Sequence, residues 1–140
     1  SATGYNNITS FNGIDASENK TENWEFNALK GAGGLISSTN DLAKFVSAQF
    51  DLGNVELNLT RKETFSISKD MSIGLGWHIL EPQTENKKFW HNGGTGGYTS
   101  SISFRTTNKI GVIILSNISA LHPRSIVIDE LCFVLLDFIK

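Results

Sequence analysis

Four glycines, Gly93, Gly94, Gly96 and Gly97, fall within five residues, directly behind Phe89-Trp90-His91-Asn92. No other stretch restricts the fold as much. Lys87 to Trp90 ahead of the cluster reads as a short strand, and Tyr98 to Phe104 behind it as another. In the second, Tyr98, Ser100, Ile102 and Phe104 share one face, and Thr99, Ser101, Ser103 and Arg105 the other. Glycine between two strands suits a backbone that something else must approach closely, because no Cβ stands in the way. A glycine-rich turn can also cradle phosphate, but that chemistry needs a helix N-terminus behind the glycines. Here a period-two strand follows, without Gly-Lys-Ser/Thr, so phosphate binding is rejected. The residues alone also fit glycines that merely bend an ordinary strand beside an incidental histidine.

Lys109 to Ser116 carries Ile110, Val112 and Ile114 on one face and Ile113 and Leu115 on the other. Apolar residues on both faces predict a central strand covered on both sides. The short polar link Arg105 to Lys109 fits a hairpin. The predicted order is therefore three neighbouring antiparallel strands, Lys87 to Trp90, Gly97 to Arg105 and Lys109 to Asn117, with His91 at an exposed strand end. Upstream, Ile73 to Leu80 reads as one more strand, with a turn near Pro82 to Asn86.

Helical periodicity appears twice. Ser38, Thr39 or Asn40 can cap a helix, Asp41 suits its positive end, and Leu42, Phe45, Val46 and Gln49 recur at helical spacing over Asp41 to Phe50. Pro123 suits a helix's first turn, and the chain from there to Lys140 predicts a second helix. Its polar positions Asp129, Glu130, Asp137 and Lys140 make only a narrow stripe, so this helix should be buried on more than one side and want a further partner. Asp51 to Asp70 predicts a loop with a short helix. Residues 1 to 30 predict long loops pinned by Tyr5, Phe11, Trp24 and Phe26. The fold class is α+β, an antiparallel sheet with helices packed on it.

Composition excludes some functions. The chain has 140 residues, 39% of them hydrophobic, and a net charge of -2, which fits one folded domain and offers no basic footprint for nucleic acid. The best candidate for a membrane span, Ile126 to Ile139, is interrupted by Asp129, Glu130 and Asp137, so none is expected. Cys132 is the only cysteine and cannot form an internal disulfide.

His91-Asn92-Gly93, then Gly-Thr-Gly-Gly-Tyr98, the strand Ser101 to Arg105 and the strand Lys109 to Asn117 resemble the third active-site motif of the serine β-lactamase and penicillin-binding-protein superfamily. The nearest branch is the class C-like one, with its esterases and D-aminopeptidases, where the motif is Lys or His, any residue, then Gly. Three further segments resemble this family in the expected order: Ala2-Thr3-Gly4-Tyr5, Gly33-Gly-Leu-Ile-Ser-Ser-Thr-Asn-Asp-Leu-Ala-Lys-Phe45, and Gly74-Leu-Gly-Trp77.

The resemblance implies acyl transfer. A serine of a Ser-x-x-Lys motif attacks a carbonyl, helped by that lysine and the tyrosine of Tyr-x-Asn, while two backbone N–H groups hold the oxyanion. One of those N–H groups falls to Gly94. His91 would face the nucleophile, and Asn92, Gly93 and Thr95 would contact substrate. Such chemistry calls for no cofactor and no metal. Ser17-x-x-Lys20, Ser66-x-x-Lys69 and Tyr5-x-Asn7 match the remaining motifs in pattern, but Ser17 lies in a polar loop and Ser66 comes after the tyrosine. They read as chance matches. Residues 1–140 therefore resemble the C-terminal portion of a single β-lactamase-like domain, inactive without its N-terminal half. The implied substrate is a small molecule or peptidoglycan-like, and the implied location is the periplasm or cell exterior. Exposed apolar surface predicts self-association. A non-catalytic binding module of the same fold is the rival reading.

Overall fold

The computed structural model describes residues 11–125 and 127–139. Its frame is a six-stranded antiparallel meander: β3 (Phe65–Ser66), β4 (Met71–Ile73), β5 (His78–Leu80), β6 (Lys88–Gly94), β7 (Thr99–Arg105) and β8 (Ile110–Ser116) lie side by side in chain order. Each strand pairs with its sequence neighbour, so short links suffice. A hairpin, β1 (Gly13–Ile14) and β2 (Lys20–Thr21), forms where only loops were expected. Its turn is organised by Asp15, whose carboxylate accepts from the Ser17 and Asn19 N–H groups at 2.8 and 2.9 Å. The helices are the short α1 (Lys30–Gly33), α2 (Thr39–Ala48), α3 (Val55–Thr60) and α4 (Val127–Phe138).

Strand β7 shows why helices cover both faces of the sheet. Phe104 and Ile102 point toward α2, where Val46, Trp77, Ile79, Phe89 and Phe104 form one core cluster. The opposite face carries Ser101 and Ser103, both fully buried. Side chains this small let α4 lie close, and Ser103 Oγ stands 3.1 Å from Cys132 Sγ. Cys132, Leu136 and Val112 make the second cluster. The alternation read from the sequence holds, but the polar face is a helix seat and not a solvent face.

Helix α2 starts as expected. Ser38 Oγ accepts from the Asp41 N–H at 3.2 Å, a cap contributing about 1 kcal/mol. On its inner side, Val46 presses on the β8 backbone at Gly111, where a Cβ would stand 2.6 Å from Val46 Cγ1.

Four expectations are corrected. Ile73 to Leu80 is a hairpin and not one strand: the chain turns at Gly74, whose N–H donates to the Trp77 carbonyl at 2.8 Å. The end of α3 packs so close there that a Cβ on Gly74 would stand 2.6 Å from the Thr60 carbonyl oxygen. The last helix begins at Val127, because His122 to Ser125 fold into turns with Ser125 N–H donating to the His122 carbonyl. That helix buries one stripe, Cys132 and Leu136, while Val127, Leu131, Val134 and Phe138 are exposed. Strand β8 is apolar on both faces and covered by both core clusters, yet among the described residues it ends the sheet and is not interior. Ala2 to Tyr5 and Asn7 lie outside the described residues.

Candidate functional site

Strand β6 runs further than expected. It continues through His91 and Asn92 to Gly94, so the first two glycines are strand residues and His91 lies within a strand. The β6–β7 ladder covers Phe89 to Gly94, whereas β5 pairs with β6 only as far as Trp90, opposite His78. Beyond Trp90, one edge of β6 is therefore open among the described residues.

The register decides which peptide groups face that opening. Thr95 N–H donates to the Tyr98 carbonyl at 2.8 Å, closing the hairpin. Antiparallel hydrogen bonding alternates, so Gly93 and His91 exchange bonds with β7, while the Asn92 and Gly94 peptide groups turn toward the open edge. The Gly94 N–H thus points out of the sheet edge, one peptide beyond His91-Asn92-Gly93.

Side chains alternate on the faces in the same way. His91 lies on the α2 side with Phe89, exposed, its Nδ1 2.7 Å from the Asn92 carbonyl oxygen. It borders a groove of about 460 Å³ whose other walls include Leu42, Phe45, Trp77 and Ile102. Asp41, also on the groove, is held below its ordinary carboxylate value by a hydrogen bond from Lys44 and another from Ser38. The His91 ring stands 5.8 Å from that of His78, whose Nδ1 is buried without a hydrogen-bond partner among the described residues. Neither His78 nor Asp129 figured among the expected site residues; the available signals were the residue following Gly-x-Gly-Trp and a carboxylate breaking an apolar helix.

Asn92 faces the other way. Its Nδ2 donates to Asp129 Oδ2 at 2.7 Å, and Trp90 Nε1 donates to Asp129 Oδ1 at 3.3 Å and to Ser101 Oγ at 3.1 Å. The side-chain amide of Asn92, expected to contact substrate, is thus engaged on the α4 face. Thr95 is engaged as well: its carbonyl accepts from Ala120 N–H at 3.0 Å and its Oγ1 from Gly97 N–H at 3.4 Å.

The glycines themselves have partners within the chain. A Cβ on Gly96 would stand 2.5 Å from Trp24 Nε1, and one on Gly97 would stand 2.9 Å from the Gly13 Cα. The close approach that the glycines predicted is made, for these two, by the chain's own N-terminal hairpin and Trp24.

The serines of the chance motifs lie apart from this strand. Ser66 is on β3, three strand spacings or about 14 Å from β6, and its hydroxyl donates to the Ser68 carbonyl. Lys69, its motif partner, is exposed beside Asp70. Ser17 sits exposed in the β1–β2 turn.

A family model, Beta-lactamase, matches residues 2–131. The chain belongs to the beta-lactamase family. Among solved structures, a class C beta-lactamase superposes with a TM-score of 0.75 at 19% identity, over 92% of this chain and 43% of that one. A beta-lactamase/D-alanine carboxypeptidase from Pseudomonas syringae gives 0.74 at 21% identity, over 92% of this chain and 45% of that one. These likenesses show the fold, and this beta-lactamase-family chain spans less than half the length of either structure. No curated protein sequence matches it. Among the described residues, no helix is long and apolar enough to cross a membrane.

Proposed function

We propose that this chain contributes the His-x-Gly strand and one oxyanion N–H to a serine hydrolase acting on an ester, a β-lactam or a D-amino-acid peptide. The observation that carries the reading is the open edge of β6, toward which alternation turns the Gly94 N–H. A carbonyl lying along that edge would meet the N–H donor as its oxygen gains charge, and donors aimed at developing charge are among the largest catalytic effects. Gly93 keeps the edge free of side chains, Thr95 shapes the turn beyond it, and Asn92 takes part through its backbone. His91 orients substrate from the α2 side. The serine nucleophile and its base come from sequence outside these 140 residues, and the chain alone does not turn over. The cell envelope is the compartment such substrates imply. A non-catalytic module that binds an extended ligand at the same edge is the second reading, favoured by the same unpaired strand edge, to which an extended ligand could add as a further strand.

Hydrolysis of a chromogenic cephalosporin and a chromogenic ester tests this, with mass spectrometry for a covalent adduct. The 140-residue chain should show neither turnover nor an acylated Ser17 or Ser66. A longer polypeptide that carries this chain behind a Ser-x-x-Lys and a Tyr-x-Asn should hydrolyse one of the substrates. In that protein, with Ala120→Gly to make room, Gly94→Pro removes the N–H and should cost roughly a hundred- to a thousand-fold in rate, whereas Gly94→Ala in the same background keeps it. Equal rates for the two would sink the oxyanion assignment.

A further inference from the structure

We propose that Asp129 is the positioning residue of the His91–Gly94 strand, fixing from α4 which face of the sheet His91 presents. Beyond Trp90, β6 pairs with β7 and, among the described residues, with no other strand. A glycine-rich strand paired on one side is weakly specified in register, and a slip of one residue would exchange its faces. Gly93 and Gly94 offer no side chain to prevent that, and the His91 side chain is exposed, its ring bonded among the described residues to the neighbouring Asn92 carbonyl and to nothing else. Asn92 is the remaining residue of the segment, and its 2.7 Å bond to Asp129 ties it to another element.

The anchor is itself fixed. Asp129 stands in the first turn of α4, where a carboxylate complements the helix dipole. Its second oxygen accepts from Trp90, whose ring packs edge-on against Phe133 at 5.4 Å. At the far end of the helix, the Arg105 guanidinium donates to the Leu136 and Ile139 carbonyls, and Asp137 pairs with Lys88 at 2.9 Å. The helix is therefore pinned to β6 at residues 88, 90 and 92. With Asn92 committed to α4, alternation obliges His91 to face the groove beside α2 and leaves the Gly94 N–H on the open edge. The catalytic meaning of this position rests on the hydrolase reading; the positioning itself does not.

Amide hydrogen exchange on the 140-residue chain tests it without any catalysis. Asp129→Ala should speed exchange of the His91 and Gly93 amides, the two of this segment that are bonded to β7, about tenfold or more, the loss expected for a hydrogen bond to a charged group, while the Val112 and Ile114 amides of β8 change far less. The exchanged pair Asp129→Asn with Asn92→Asp should return the His91 and Gly93 amides to near their original protection. In that variant the amide introduced at 129 can still accept from Trp90 and donate to the new carboxylate. The Trp90 indole N–H resonance should likewise shift in Asp129→Ala and recover in the exchanged pair. Uniform acceleration over the whole sheet in Asp129→Ala, or an exchanged pair that folds by circular dichroism yet leaves the His91 and Gly93 amides unprotected, would overturn the proposal. Neither outcome bears on whether a longer protein hydrolyses esters or β-lactams.

Discussion

Gly94 lies against Ala120, so close that a Cβ on Gly94 would stand 2.4 Å from the Ala120 Cβ. The glycine of the candidate oxyanion strand thus has a packing reason of its own, supplied by the turn that leads into α4. Gly94→Ala should destabilise the chain by about 1–3 kcal/mol through overpacking, and Ala120→Gly should recover most of that loss. Urea unfolding of the two single variants and the double variant reads the coupling. Additive losses would mean that the two residues do not meet in solution.

Phe104 joins the core cluster on the α2 side. It is fully buried, stacked on Phe89 with ring centroids 5.3 Å apart and edge-on to Trp77 at 4.9 Å. Phe104→Ala should cost about 3–5 kcal/mol, a large share of a small domain's stability. Thermal unfolding checks this, and a loss below about 1 kcal/mol would show the cluster to be loosely packed.

Lys88 carries the charge network that joins α4 to the sheet, with Asp137 at 2.9 Å and Glu81 at 3.3 Å. Burial pulls its ammonium down, but the hydrogen bond and charge of Asp137, then those of Glu81, outweigh that and hold it above the ordinary lysine value of 10.5. A raised value in the folded state means that the stabilisation is fully present below the unfolded value and is lost as pH rises through the folded one. Lys88→Met should therefore lower stability near neutral pH, by about 1 kcal/mol given that Asp137 is half exposed. The gap to the parent chain should close above pH 10.5. Chemical unfolding at a series of pH values reads it, and a gap that widens with pH would contradict the network.

On the outer side of α4, Val127, Leu131, Val134 and Phe138 recur at helical spacing, and all are exposed. A continuous apolar stripe of this kind drives association. The 140-residue chain should self-associate at micromolar concentration in light scattering and bind a hydrophobic dye, and Leu131→Glu with Val134→Lys should reduce both. A monomer without dye binding would count against the stripe as an association surface.

What the sequence determined by itself is what short-range chemistry determines. Alternation placed β7 and β8 and assigned their faces, and Ser38 with Asp41 marked the start of α2. The ordered motifs from Gly33 to Tyr98 carried the family, and alternation together with helical periodicity carried the α+β class. Tertiary structure decided what depends on partners distant along the chain. The break at Gly74 follows from the end of α3 lying on it, which a local apolar run cannot reveal. Strand β8 looked central because both its faces are covered, but cover on the faces says nothing about pairing at the edges. Glycines announce close approach without naming what approaches: Ala120 meets Gly94, Trp24 meets Gly96, and the β1–β2 hairpin meets Gly97. The direction of Asn92 depended on Asp129, 37 residues away, and no periodicity within β6 could have chosen between that carboxylate and a substrate. Side-chain chemistry fixes what a group can bond; only the packing of α4 on the sheet brings this particular acceptor within 2.7 Å.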